Sequence, residues 1–395
     1  MVRQFIYNSQ LLNKNFILLT ISSFLFFFNM HAFLLLPVWI KELGGTDSDI
    51  GFIMGATSFS TIFSTPLVGF LVDKYDKRIL LILGSVILVL TGIPFALLNS
   101  LNSLFFVFRI FQGIAFSLFF ISAGTLITEV CPKENRTQAL GIFGVFTIIN
   151  YALAPYIGRI LVQQYSFDYF FIFISVIGLL ALPFIFSISK ARTSDEDGKT
   201  IKSSNVIKII KRPGIIIPAI TLMFAGSGFI PTLSFLPVFS LKLDISQYEV
   251  FFVWYAVSVL FIRLFAGWLP DKIGKIKTVV PSLILFSFSI FYLGFTQDKT
   301  DLAISGILFG LAHGFLYPTL YSIVMDNSNF NERGKVFSIC SVAFTLGGMI
   351  GAFSYGVIAE LYNYFFMYKL MGLICFIGFT VFIFYYRNSI LRLNK

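Results

Sequence analysis

Long apolar runs separated by short polar intervals fill almost the whole chain. Read at about 20 residues per membrane crossing, they predict twelve helices over 16–40, 49–72, 79–99, 103–129, 137–160, 169–189, 213–240, 248–270, 278–296, 301–326, 334–359 and 364–387. The runs are continuous, whereas barrel strands would alternate over segments of about 10 residues. An all-α membrane protein is therefore expected. The first run is too long for a cleavable signal and leads straight into Pro37-Val38-Trp39, so it is read as a retained helix. Only one polar stretch is long, 190–212. It holds Asp195, Glu196 and Asp197, followed by five of its seven cations. It is read as a cytoplasmic tether, with an amphipathic piece around Val206–Ile210. The tether joins two six-helix bundles, 1–189 and 213–395.

The two bundles repeat each other. Gly69-Phe70-Leu71-Val72-Asp73-Lys74-Tyr75-Asp76-Lys77-Arg78 closes the second run, and Gly267-Trp268-Leu269-Pro270-Asp271-Lys272-Ile273-Gly274-Lys275 closes the eighth, 198 positions later. Leu36-Pro37-Val38-Trp39 is matched by Leu236-Pro237-Val238-Phe239, and Pro132-Lys133-Glu134-Asn135-Arg136 by Phe330-Asn331-Glu332-Arg333-Gly334. Six spans per half give both repeats one orientation. Parallel repeats of this kind are related by an axis along the membrane normal, with a solute site between them near the midplane. Glycines four apart, at 51/55, 306/310/314 and 347/351, predict close helix contacts.

Composition agrees: 57% of residues are hydrophobic and only 12% charged, against about a quarter charged in soluble domains. The net charge of +10 does not indicate nucleic acid. Of 29 cations, 22 fall in the N-terminus, the even-to-odd loops and the C-terminus, while Lys41, Arg159, Lys242 and Lys299 lie on the other side. By the positive-inside rule both termini are cytoplasmic. Cys131, Cys340 and Cys375 lack any paired spacing, so no metal or redox site is expected. Nor is there a phosphate-binding glycine loop, a zinc motif or a nucleophile constellation. The chain reads as a non-enzyme without cofactor.

The strings and motifs resemble the major facilitator superfamily along nearly the whole chain. The first string is similar to its glycine-x-leucine-x-aspartate-basic pattern, with Asp76 in place of a second glycine; the second keeps Gly274 but has Pro270 before its acid. Arg109-Ile110-Phe111-Gln112-Gly113 resembles the arginine-x-x-glutamine-glycine motif of proton-linked members. Ala154-Pro155-Tyr156-Ile157-Gly158 is similar to the antiporter motif, with alanine in first place. The resemblance implies twelve helices in two parallel repeats and, within the family, bacterial efflux permeases. It also implies a cytoplasmic gate. On physical grounds Gly69 would permit close packing, Asp73 would cap a neighbouring helix N-terminus, and Lys77 and Arg78 would reach Glu129. Gly267, Asp271, Lys275 and Asp326 form the corresponding set.

All 19 acids fall near predicted helix ends or in loops, whereas Arg109, Arg263 and Lys369 fall inside spans. A charge at the bilayer centre costs at least about 2.5–3.5 kcal/mol, so it should face a cavity or a partner. Lys369 is close enough to the outer interface to snorkel. Buried cations without buried acids predict an anionic or zwitterionic solute with Arg109 as leading contact, or else an arginine that tunes a proton site. The first helix offers Asn29 and His31 where many proton-linked exporters carry an acid. His31 and His313 are either coupling groups or neutral hydrogen-bond partners between helices; Glu129 and Glu42 are the fallback. Gln112, Asn150, Tyr151, Thr232, Ser234, Tyr255 and Tyr317 are further cavity candidates. The expectation is a monomeric secondary transporter of the bacterial inner membrane that exports a small organic solute against a proton gradient. An organic-anion symporter or facilitator is the alternative, and a non-transporting receptor a third reading.

Overall fold

The computed structural model describes residues 13–132, 136–189, 206–329 and 332–392. Among them, twelve helices are long and apolar enough to cross a membrane. They are α1 Lys14–Glu42, α2 Asp47–Lys74, α3 Lys77–Leu97, α4 Ser103–Val130, α5 Arg136–Gln164, α6 Phe167–Phe186, α7 Pro213–Lys242, α8 Glu249–Ala266, α9 Lys275–Leu293, α10 Lys299–Asp326, α11 Arg333–Leu361 and α12 Tyr364–Arg387. Each begins and ends within four residues of its predicted span. The eighth run is the exception in form: it stops at Ala266, and a separate short helix, Leu269–Ile273, follows. Of the tether, residues 190–205 lie outside the described residues; Val206–Ile210 is helical.

Local chemistry sets the helix starts. Asn13, Asn102 and Asp298 accept from backbone N–H groups in the first turns of α1, α4 and α10, supplying partners the helix cannot. Thr46 and Asp49 cap each other's N–H at 2.8 and 3.1 Å, a reciprocal box at the start of α2. Inside α1 the winding tightens to a 3₁₀ turn at Phe33–Leu35. Pro37 has no N–H to give the Phe33 carbonyl, and the Leu36 N–H takes that acceptor instead.

Backbone contacts group the chain into two compact units, Met1–Leu36 with Phe63–Gly198, and Pro37–Ile62 with Lys199–Lys395. The boundary thus falls at the 3₁₀ turn of α1 and within α2, so Pro37–Ile62 joins the second unit. In the first unit α1 packs on α5 and α6, and α3 on α4 and α6; in the second α7 packs on α11 and α12, and α9 on α10 and α12. The same pairings recur six helices apart, which is the repeat seen in the sequence. Phenylalanines fill the first core, with Phe26 stacked on Phe119 at 3.8 Å. Glycines set the second. A Cβ at Gly226, Gly347 or Gly351 would strike backbone across the α7–α11 contact, and one at Gly306 or Gly310 would meet the Phe251 or Tyr255 carbonyl at 2.5 Å. Backbones approach this closely only where the side chain is absent.

Candidate functional site

In the first unit, Arg109 and Gln112 are three apart on α4 and so share one face. Arg109 is 4% exposed and donates through Nη1 to Gln112 Oε1 at 2.7 Å. Its guanidinium lies 5.7 Å from the Phe33 ring centroid, and Phe33 stands against Phe95. The Arg109 Nε and the Gln112 Nε2 are buried with no hydrogen-bond partner. No carboxylate pairs with Arg109 among the described residues. Two residues before Phe33, His31 stacks on Tyr151 at 3.8 Å, and its Nδ1 has no hydrogen bond. Asn29 and Asn150 donate to the carbonyls of Ile174 and Phe24 at 2.6 and 2.8 Å, leaving both Oδ1 atoms without a partner. They tie α1 to α6 and α5 while each keeps one unused polar atom.

In the second unit the polar interior centres on α8 and α10. The Tyr255 hydroxyl lies 3.2 Å from His313 Nδ1, and His313 stacks on Phe229. Tyr317 donates to the Tyr321 hydroxyl at 3.2 Å, and Tyr321 meets Ser341 at 2.9 Å. Arg263 is half-buried and lies in the π-turn Ile262–Ala266. Two candidates already have partners: Ser234 donates to the Ile230 carbonyl of its own helix, and Thr232 donates across to the Met371 sulfur on α12. Lys369 sits 4.1 Å over the Phe295 ring.

The loop strings correct several expectations. Lys77 pairs with Glu129 at 2.9 Å, and Lys275 with Asp326 at 2.5 Å. Arg78, however, does not reach Glu129. Asp76 is the N-cap of α3 and holds the Arg78 guanidinium at 2.6 Å, while Arg78 Nη1 donates to the Ile188 carbonyl. The cap expected of Asp73 is therefore made by Asp76, which sits directly ahead of the helix. Asp73 and Asp271 are exposed, and neither forms an ion pair or side-chain hydrogen bond among the described residues. Nor does Gly69 mediate a close approach, because a Cβ there would meet nothing within 4 Å. A Cβ at Gly267 would meet first the Arg263 carbonyl four residues back, at 3.0 Å, and not another helix.

Two clusters went unread in the sequence. Asp47, its side chain 4% exposed, accepts from Tyr364 at 2.7 Å and pairs with Lys41 at 2.6 Å and Lys242 at 3.2 Å. It borders a cavity of about 550 Å³ that Glu360 and Asn363 also line. Lys41 and Lys242 were visible only as exceptions to the charge rule, and that was the one available signal. The second cluster is Arg212 with Glu332, a two-point pair at 2.6 and 3.1 Å that Asn329 joins. The hydrogen bond from Arg212 holds the Glu332 carboxyl below its ordinary range, and the same bond raises Arg212.

Comparison with known proteins adds the lineage. The profile described as Major Facilitator Superfamily matches residues 17–275 and 239–391. The chain is 24% identical over 369 residues to the staphylopine export protein of Staphylococcus aureus, covering 89% of this chain and 91% of that one. It is 22% identical over 347 residues to an uncharacterized MFS-type transporter of Methanocaldococcus jannaschii, covering 85% and 88%. Among solved structures it is similar to the nucleoside transporter NupG, with a TM-score of 0.75, 13% identity, and coverage of 93% of this chain and 98% of that one. At that identity the likeness speaks for the fold.

Proposed function

From the premise that the chain belongs to the Major Facilitator Superfamily, we propose that it exports a small organic anion or zwitterion in exchange for protons, with Arg109 as the leading solute contact. Membership makes it a multi-pass membrane transporter of small solutes and not an enzyme. The observation that carries the solute class is Arg109 itself: a buried guanidinium with no carboxylate partner among the described residues and with unused donors on it and on Gln112. A solute carboxylate or phosphate supplies what that site lacks. The outward direction is supported by the exporter among its relatives. The proton is assigned to His31 or His313, since the acids gather at helix ends. The six-helix halves 1–189 and 213–395, with 190–212 between them, are proposed to rock around the site in the inner membrane with both termini cytoplasmic. The Lys77–Glu129 and Lys275–Asp326 pairs then serve as gate contacts.

Inside-out vesicles with an acidic lumen test direction and coupling together. Uptake of an organic anion that needs the gradient and disappears in Arg109→Ala is the expected result. Uptake confined to right-side-out vesicles would reverse the direction and favour the importing symporter or facilitator. Normal uptake by Arg109→Ala would remove Arg109 from the site. If pH dependence survives replacement of both histidines, the proton moves to Glu129 or Glu42.

A further inference from the structure

The sequence repeat assigns Pro37–Ile62 to the first six-helix half, whereas its contacts place it with the second unit. This segment, the end of α1 and the first half of α2, acts as a strap across that unit. Asp47 fastens it: Oδ1 accepts from the Tyr364 hydroxyl at 2.7 Å and Oδ2 from the Lys242 ammonium at 3.2 Å. The next N–H, on Ser48, donates to Glu360 at 3.0 Å. One turn further along, glycine meets glycine. A Cβ at Gly51 would strike the Ala352 carbonyl, and one at Gly356 would lie 2.7 Å from the Asp47 carbonyl and 3.0 Å from the Gly51 Cα. The start of α2 and the end of α11 thus lie backbone on backbone, a contact that can part with little repacking of side chains. The ion pairs are equally reversible. Lys41, on the strap itself, holds the same carboxylate at 2.6 Å, so Asp47 keeps a counter-ion if the strap lifts. Lys242, its side chain 50% exposed, lies 4.5 Å over the Tyr364 ring and keeps both water and that ring. The cavity of about 550 Å³ beside them is roomy enough to admit water. Breaking a buried pair is costly when it strands a charge, and here neither charge is stranded.

We propose that Asp47 is a latch: one carboxylate fastens the strap to α7 and α12 at the end opposite the Lys275 loop, and its release from Lys242 and Tyr364 opens that end for solute exit. This rests on the reading that the protein exports by rocking, and it names what holds the exit side shut. The 3₁₀ turn Phe33–Leu35 lies where the strap joins the rest of α1. Pro37 withholds one backbone hydrogen bond there, so the turn is the natural place for the strap to bend. Asp47 is the one group on the strap whose side chain bonds both to α7 and to α12 among the described contacts.

The test uses the full-length protein in lipid nanodiscs with spin labels at Leu43, on the strap, and Thr300, at the start of α10. Two separations are expected, closed and open. Asp47→Asn leaves two lysines around a neutral amide in the closed form only, and should raise the open-to-closed ratio at least about tenfold. Tyr364→Phe removes one charged hydrogen bond and should raise it about three- to tenfold. Lys242→Gln, at a half-exposed partner, should raise it by up to about fivefold. Asp47→Glu keeps the charge and should stay nearest the wild type. Asp49→Asn should leave the ratio unchanged, because Asp49 caps only the Thr46 N–H of the strap itself. The two separations should stay fixed while their weights change; a variant that merely unfolds loses both, and Tyr364→Phe then carries the test. Unchanged weights in Asp47→Asn and Tyr364→Phe, a single separation throughout, or an equal shift in Asp49→Asn overturns the latch. Anion uptake into inside-out vesicles, measured alongside, separates the two readings. Unchanged weights with normal uptake overturn the latch alone. Shifted weights with no uptake by the wild type overturn the exporter and leave the latch standing.

Discussion

The two halves solve the same loop with different chemistry and agree on one contact. Lys77 and Lys275 stand 198 positions apart, and each pairs with an acid at the end of the helix that pairs with its own, Glu129 on α4 and Asp326 on α10. The helix starts beside them differ. α3 begins after Asp76, whose side chain caps the Arg78 N–H at 3.0 Å and grips its guanidinium. α9 begins after Gly274, which has a φ of +103° and no side-chain cap, and which donates its N–H to the Pro270 carbonyl at 3.0 Å. A side chain would be strained in that conformation, so glycine at 274 is a backbone requirement whereas aspartate at 76 is a capping choice. Deeper in the membrane the likeness ends. Arg109 lies on α4 and Arg263 on α8, which are not equivalent helices of the repeat. Duplication has kept the lysine–acid pair and let the interior diverge, so changes at the loops should act alike in both halves while interior changes should not.

The largest effect should come from the interior. Arg109→Gln removes a charged hydrogen-bond donor, worth about 1.5–3 kcal/mol, and transport should fall about 10- to 100-fold. Stability should hold or rise, because a buried charge without a counter-ion is itself unfavourable. A matching drop in melting temperature would instead make Arg109 structural. Next comes packing. Gly310→Leu would drive a side chain into the Tyr255 backbone, and overpacking of this kind costs about 1–3 kcal/mol; detergent-resistant folding should fall and the Tyr255–His313 contact should be lost. Gly69→Ala, which meets open space, should leave stability unchanged by the same assay. Equal losses at both glycines would contradict the contrast between them.

Much of this was legible because the bilayer imposes a length and a polarity on every span. Helix number, ends within four residues, glycine contacts and the two lysine–acid pairs follow from that pattern and from the repeat. What was not legible depends on partners distant in sequence or on one turn of backbone. Asp47 meets Lys242 and Tyr364 across 195 and 317 positions, and no periodicity links them. Arg78 could not be assigned between Glu129 and Asp76 by charge alone; the cap geometry of α3 decides it. The π-turn at Arg263 leaves no mark in an apolar run. The orphaned atoms around Arg109 appear only when the packing is present, since a sequence shows which donors exist and not which are used.

A gate-level test should give a smaller effect that is equal in the two halves. Lys77→Gln and Lys275→Gln each break a partly exposed pair worth about 0.2–1 kcal/mol, so each should shift the balance between transport states by up to about fivefold and in the same direction. Lys77→Glu combined with Glu129→Lys should restore it. Unequal effects would mean that the differing helix starts matter as much as the shared pair. State populations can be followed by spin labels placed on α4 and α10.

The smallest effect concerns a contact described in only one half. Arg212 and Glu332 tie the end of the tether to the start of α11; in the first-half echo of this loop, Glu134 lies outside the described residues. Arg212 holds the Glu332 carboxyl below its ordinary value, about 4.3 for an unperturbed glutamate. The unfolded chain therefore binds the proton more readily than the folded one, and stability rises with pH where the two differ. The contribution is complete above about pH 5 and is lost as pH falls through the lowered folded value. Amide hydrogen exchange in the first turns of α7 and α11 should accordingly be slow and constant from neutral pH to about 5, once the intrinsic pH dependence is removed, and quicken below it. Arg212→Gln should raise the midpoint of that change toward the ordinary glutamate value, and Glu332→Gln should abolish it. Lys77→Gln, acting in the other half, should leave the profile where it was. A profile that moves with Lys77 would show that the two halves' loops are coupled and not merely duplicated.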